Sequence, residues 1–235
     1  MDERTHIYSL PDCYIGSIEH TKRKAHVAAI SNDGITFKKQ EVGLPAGIVT
    51  LFNMLFMNAL DSAITAIDCN ADPGSISVNI NSHTIEIKND QCIPIKLHEG
   101  IFLPTFIFTQ FNAASNYTRE IGYVSRHNTG CKPVCIFSKI CTLDISDPVE
   151  KLQFSQIIEN NALKINPPIV TPYNGKTAYT KVSFQLDFPY FNMTHYSEMD
   201  ICTLMGAAYI LWKKYKPCKV LFNGIDITLN KEKIM

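Results

Sequence analysis

The chain has 235 residues, with 22 Lys+Arg against 22 Asp+Glu, 46% hydrophobic and 19% charged positions. That balance excludes a wholly disordered chain, and a formal net charge of zero gives no long-range attraction to a phosphate backbone, which argues against autonomous high-affinity DNA binding by the whole surface. No run of about 18 uninterrupted apolar residues occurs, and the opening MDERTHIYSL is charged where an export signal needs an apolar stretch, so neither a membrane span nor secretion is expected.

In chain order, LPDCYIGS (10–17) reads as a turn-like opening, followed by a basic loop and two short strands, HVAAI (26–30) and GITFKK (34–39). Pro45 stands at a helix start, and GIVTLFNMLFMNALDSAITAI (47–67) is the clearest helix. SISVNI (75–80) and TIEIKN (84–89) alternate and form a hairpin. LPTFIFTQF (103–111) fits a buried helix or a strand equally well, because periodicity does not separate them. Residues 112–131 are polar and aperiodic, the pattern of a long functional loop.

CIFSKICTLDI (135–145) suggests a helical turn running into a strand, and KLQFSQII and TAYTKVSFQLDF read as further strands. SEMDICTLMGAAYILWKKYK (197–216) is a second helix, capped by Ser197, with acids in its first turn and lysines at its end. KVLFNGIDITL (219–229) closes as a hairpin around Asn223-Gly224. The expected class is α+β, one domain over 1–235, with a mixed sheet and helices packed on one face.

The eight cysteines include no C-x-x-C pair, and the seven histidines show no metal-like spacing, so the thiols read as reduced and the histidines as surface or core residues of an intracellular, cytoplasmic protein. Within the first helix Asn58, Asp61, Ser62 and Thr65 recur at i, i+3, i+4 and i+7 and form a polar stripe on an otherwise apolar cylinder. Such a stripe either reaches solvent or faces a pocket whose groups it satisfies.

Leu10 to Ser17, Gly47 to Ser62 with Asn58-Ala59-x-Asp61, and Ile87-Lys88-Asn89-x-x-x-Ile93-Pro94 occur in that order. They are followed by Leu103-Pro104 to Phe108, Ala114 to Tyr117, Arg126 to Lys132, Ile136 to Ser138, Val182 to Asp187 and Val220 to Gly224. This collinear series resembles the ATPase domain of eukaryotic and viral type IIA DNA topoisomerases over essentially the whole chain. The resemblance implies the GHKL (Bergerat) fold, a two-layer sandwich with ATP held between helices and sheet, and a viral source.

Carried over residue by residue, it implies that Asn58 coordinates the magnesium of Mg-ATP, Asp61 lies toward the nucleoside, and Asn89 takes an adenine-side position. Ser115 and Asn116 match ribose and phosphate contacts, while Arg126, Gly130 and Lys132 match the loop that wraps the phosphates. The departures from the pattern are specific. Met54 stands where the family places the glutamate that acts as general base, and a thioether accepts no proton. Its neighbour Asn53 replaces an acidic position, Asp90 and Cys92 replace glycines, and in the phosphate loop Asn128 replaces one of two glycines, with Pro133 directly after the lysine.

Binding of ATP with Mg is therefore expected to be weakened or lost and hydrolysis lost, with no catalytic residue in place. Strand passage and DNA cleavage are not expected from this chain, because the transducer lysine and the cleavage tyrosine have no counterpart in it. Three functions stand open: a degenerate domain kept as a binding or scaffold module in DNA-related processes, an ATP-binding subunit of a split type II topoisomerase, and a non-hydrolysing nucleotide switch. A protein partner and a homodimer are implied, and DNA contact is weak or indirect; the basic stretches 20–24 and 212–219 are compatible with nucleic acid but equally with a helix C-terminus.

Overall fold

The computed structural model describes residues 2–31, 34–110 and 130–229. Its centre is a nine-stranded sheet in the order β10-β8-β7-β11-β4-β3-β12-β13, with β9 on the edge of β8. The strands are β3 (Ser75–Ile80), β4 (Ile85–Asn89), β7 (Ser138–Asp147), β8 (Leu152–Glu159), β9 (Lys164–Ile165), β10 (Ile169–Pro172), β11 (Tyr179–Leu186), β12 (Lys219–Phe222) and β13 (Ile225–Asp226). All pairs are antiparallel except β3 with β12, so the sheet is mixed as expected.

One phase of the alternation is sealed. Ile76, Val78, Ile85, Ile87, Val182, Phe184, Cys141, Leu143 and Ile145 are all buried, whereas Ser77, Glu86, Lys88, Lys181, Ser183, Thr142 and Asp144 between them keep solvent contact. The sealed face lies under α3 (Ala46–Asp68). This helix is long and apolar enough to span a bilayer, but half of that apolar window is buried inside the fold. Leu51, Phe52, Leu55, Phe56, Ala59, Leu60 and Ala63 repeat at helical spacing and supply the buried stripe. The remaining arc, from Asn53 and Met54 to Asn58, Asp61 and Thr65, is only partly covered.

A separate hairpin, β1 (Arg23–Ser31) with β2 (Gly34–Val42), packs on α6 (Glu198–Tyr215), where Phe37 and Tyr209 stack at 3.9 Å. The approach is close at Gly206, since any Cβ there would collide with the His26 carbonyl. Ser197 caps α6 in a full capping box with Asp200.

The opening is not turn-like as expected. Glu3–Ser9 forms α1 and Pro11–Tyr14 forms α2. α1 is held by distant partners: Arg4 Nε donates to the Asn161 carbonyl at 2.7 Å, and Tyr8 Oη donates to Asp187 at 3.1 Å. The ambiguous run 103–111 resolves as helix α4 (Leu103–Thr109), begun by Pro104 in its first turn. Two short strands, β5 (Leu97–His98) and β6 (Ile101–Phe102), precede it, and α5 (Lys132–Ile136) leads into β7.

Candidate nucleotide cleft

Half of the α3 polar stripe turns out to be engaged locally. Ser62 Oγ donates to the Asn58 carbonyl at 3.0 Å and Thr65 Oγ1 to the Asp61 carbonyl at 2.8 Å, the back-bonding habit of helical hydroxyls. Asn58 and Asp61 remain as the stripe's half-buried amide and carboxylate. Across from them sits Cys131, fully buried, with its thiol 3.8 Å from the Met54 carbonyl. Burial first, then the Cys141 sulfur and the Asp61 carboxylate, push this thiol up to about 12. Cys131 thus lies over the stripe between Met54 and Asp61, one residue before Lys132.

Lys132 opens α5 and is only 3% exposed. Burial pulls its ammonium down to about 8, opposed by the charge of Glu3 on α1. Its neighbour Cys131 is the residue that faces Met54 and Asp61. Gly130 precedes this pair in the left-handed region at φ 56°, and Pro133 follows it without an N–H to offer an anion.

The end of β4 packs on the same side as α3. Asn89 is buried on the helix-facing side and its Nδ2 donates to the Gln91 carbonyl at 3.1 Å. Directly opposite in register lies Thr180, also buried, whose Oγ1 accepts from the Ile93 N–H at 3.0 Å. Thr180 is the polar residue that the sequence reading missed. Its signal was a hydroxyl at an inward phase of β11, where Val182, Phe184 and Leu186 are the other inward residues.

Asp90 does not add a carboxylate to the cleft. Its Oδ2 accepts from Ser75 N at 2.9 Å and from Ser75 Oγ at 2.7 Å, and Gly74, at φ 66°, makes room for it, since a Cβ there would lie 2.5 Å from Asp90 Cβ. Cys92 is half-buried, its thiol raised to about 11 by burial and by the Asp147 carboxylate. Asp147 also accepts from Ile95 N at 3.1 Å, so the turn after β4 is anchored to β7.

The structure thus sets Cys131, which lies between Gly130 and Lys132 in the chain, against the Met54–Asp61 stretch of α3 that carries Asn58, with Asn89 at the end of β4 on the helix-facing side of the sheet. Ser115, Asn116 and Arg126 lie outside the described residues. Asn53 Oδ1 is buried with no hydrogen-bond partner among the described residues. A shallow concavity of about 210 Å³ near Asn79, Asn81 and Asn223 lies at the other end of the sheet. Its amides are already paired, Asn223 with the Ile80 backbone and Asn79 with Glu86, so it makes no comparable demand on a ligand. On the β1–β2 hairpin, burial lowers His26, helped by the charges of Lys39 on β2 and Lys213 on α6.

DNA topoisomerase 2 of Saccharomyces cerevisiae is 30% identical over 237 residues, covering 97% of this chain and 16% of its own length; that of Candida glabrata is 29% identical over 233 residues, with 97% and 16% covered. The crystal structure of the ATPase region of the S. cerevisiae enzyme superposes with a TM-score of 0.84 at 28% identity, over 98% of this chain and 61% of that one. The chain is homologous to the ATPase region of type II topoisomerases. The fold is accordingly the GHKL fold, as expected. The ATPase and transducer domains of the Balamuthia mandrillaris enzyme match in fold as well, with a TM-score of 0.77 at 24% identity. No family model matches the chain. The topoisomerase II-like chain spans about a sixth of the length of the curated relatives it matches.

Proposed function

We propose that this topoisomerase II-like domain is a nucleotide-binding module that holds ATP with magnesium without hydrolysing it. The observation that carries the reading is Met54. It lies on the partly covered arc of α3, one helical turn before Asn58, and brings a thioether to the position from which a carboxylate would activate water. Asn53 beside it is an amide, which is no base either.

The residues present fit the ligand for binding. Asn58 offers a hard amide oxygen to magnesium, Lys132 a cation to the phosphates, and Asn89 with Thr180 a polar pair in an apolar floor for the base. Bound magnesium would neutralise phosphate charge. The chain's part is to position the nucleotide and keep α3, α5 and β4 around it. Asp90 and Cys92, engaged with Ser75 and Asp147, support the turn rather than the ligand.

In this reading the domain serves as a scaffold or switch for a protein partner, pairs with a second copy when loaded, and meets DNA indirectly. The eight free thiols accord with an intracellular, cytoplasmic setting, that of a virus-encoded protein. The deciding experiment combines thermal-shift titration with Mg-ATP and phosphate release by the purified chain. Stabilisation without release is expected. Magnesium-dependent turnover abolished by Asn58→Ala, or no stabilisation at millimolar nucleotide, overturns the reading.

A further inference from the structure

Far from the cleft, two histidines that the proposed function does not use face each other. His83 lies in the turn between β3 and β4, and His195 in the segment leading into α6; their ring centroids are 6.4 Å apart and their planes differ by 38°. Both side chains are exposed. Each ring is held at one nitrogen by the hydroxyl of the preceding residue, Ser82 Oγ to His83 Nδ1 at 2.8 Å and Thr194 Oγ1 to His195 Nδ1 at 2.8 Å. Neither Nε2 has a hydrogen-bond partner among the described residues.

The two segments are also tied to each other. Tyr196 N donates to the Ser82 carbonyl at 2.8 Å, and Phe188 meets His83 edge-on at 6.0 Å and Tyr196 at 4.9 Å. Asn81 Oδ1 fixes the turn by accepting from His83 N and Thr84 N. The imidazoles are therefore presented by rigid backbone, and ring rotation is the main freedom left.

We propose that His83 and His195 form a two-point site for a borderline divalent transition metal of the zinc or nickel class, with water completing the coordination. Imidazole nitrogen binds such ions at about 2.0–2.1 Å, so two rings sharing one ion hold their centroids about 5–6 Å apart. The observed separation needs a closure of roughly 0.4–1.4 Å, within the range of exposed side-chain torsions. When the hydroxyl accepts from Nδ1–H, the contact is the usual orienting one of a metal-bound histidine, since that tautomer leaves Nε2 as the ligand.

The chemistry differs from that proposed for the cleft, where a hard cation would be held through oxygen. No group of three or more His, Cys, Asp or Glu side chains among the described residues is arranged around a metal, so the affinity comes from these two rings and is modest. The place differs too: six residues of extended chain, about 20 Å, separate His83 from Asn89. A metal here would staple the β3–β4 turn to the entry of α6.

The test uses the full chain in which the exposed thiols Cys13 and Cys69 are replaced by Ser, titrated with Zn2+ or Ni2+ by calorimetry and followed by NMR of the histidine rings. Saturable binding of one ion is expected, with perturbation confined to the His83 and His195 resonances. His83→Asn and His195→Asn should each weaken it by at least about tenfold, while His6→Asn leaves it unchanged. Because the NMR is read on the parent chain, the result does not depend on the variants folding. Binding that survives the double variant, ring signals indifferent to metal, or no saturation below about 1 mM refutes the site. None of these outcomes depends on whether ATP enters the cleft.

Discussion

Replacing Lys132 by methionine should stabilise the domain in the absence of ligand. The side chain is 3% exposed, and burial lowers its ammonium from 10.5 to about 8. That difference of about 2.5, at about 1.4 kcal/mol per unit, sets a ceiling of about 3 kcal/mol on the cost of holding the charge in the fold. Glu3 already offsets part of it. Below pH 8 both native and unfolded chains carry the proton, and the whole cost is present. Between about 8 and 10.5 the native state releases its proton first, so stability rises with pH, and above 10.5 the cost is gone.

Lys132→Met should therefore raise the midpoint in urea at pH 7, by up to about 3 kcal/mol in unfolding free energy, and its advantage should shrink steadily toward pH 10. With Mg-ATP present the order should reverse, because only the parent chain gains from phosphate. The assay is urea unfolding by circular dichroism at pH 7, 8.5 and 10, with and without nucleotide. A variant less stable than the parent at pH 7 without ligand, or a difference that does not change with pH, refutes the reasoning.

Other substitutions probe the frame. Gly206→Ala pushes a methyl group into the His26 carbonyl and should cost about 1–3 kcal/mol, read as a lower urea midpoint; an unchanged midpoint would show that β1 moves freely over α6. Asp187→Asn should loosen α1, because this nearly buried carboxylate accepts from Tyr8 and Asn161 and pairs with Lys139 at 3.1 Å, and limited proteolysis should then cut near residue 10 faster. Ser197→Ala removes one half of the capping box and should cost about 1 kcal/mol. Asn58→Ala, on a half-buried position, should leave the fold intact and abolish the magnesium-dependent part of the ATP thermal shift.

Local chemistry made some elements readable in advance. The 47–67 helix, the 75–89 hairpin, the Ser197 cap and the Asn223-Gly224 turn each carry their cause within a few residues. α1 was not readable, because what holds it lies 157 and 179 residues away, at Asn161 and Asp187. β10 was missed for a related reason: four residues that follow Pro167-Pro168 and end on Pro172 gain strand geometry only by pairing with β8. In the cleft, helical spacing put Asn58 and Asp61 on one stripe, but where Asp90 points depends on Ser75 and Gly74, fifteen or more residues earlier in the chain. Thr180 shows itself only when β11 is laid beside β4.

The parallel pairing of β12 with β3 bears on how the protein is made. Lys219 through Phe222 align with Ser75 through Val78, so a growing chain on the ribosome exposes one edge of β3 for the time needed to synthesise more than 140 further residues. During that interval Ile76 and Val78 lie beside an open edge, vulnerable to pairing with other nascent chains. Expression yield should therefore respond to chaperone supply more strongly than the stability of the finished domain would suggest.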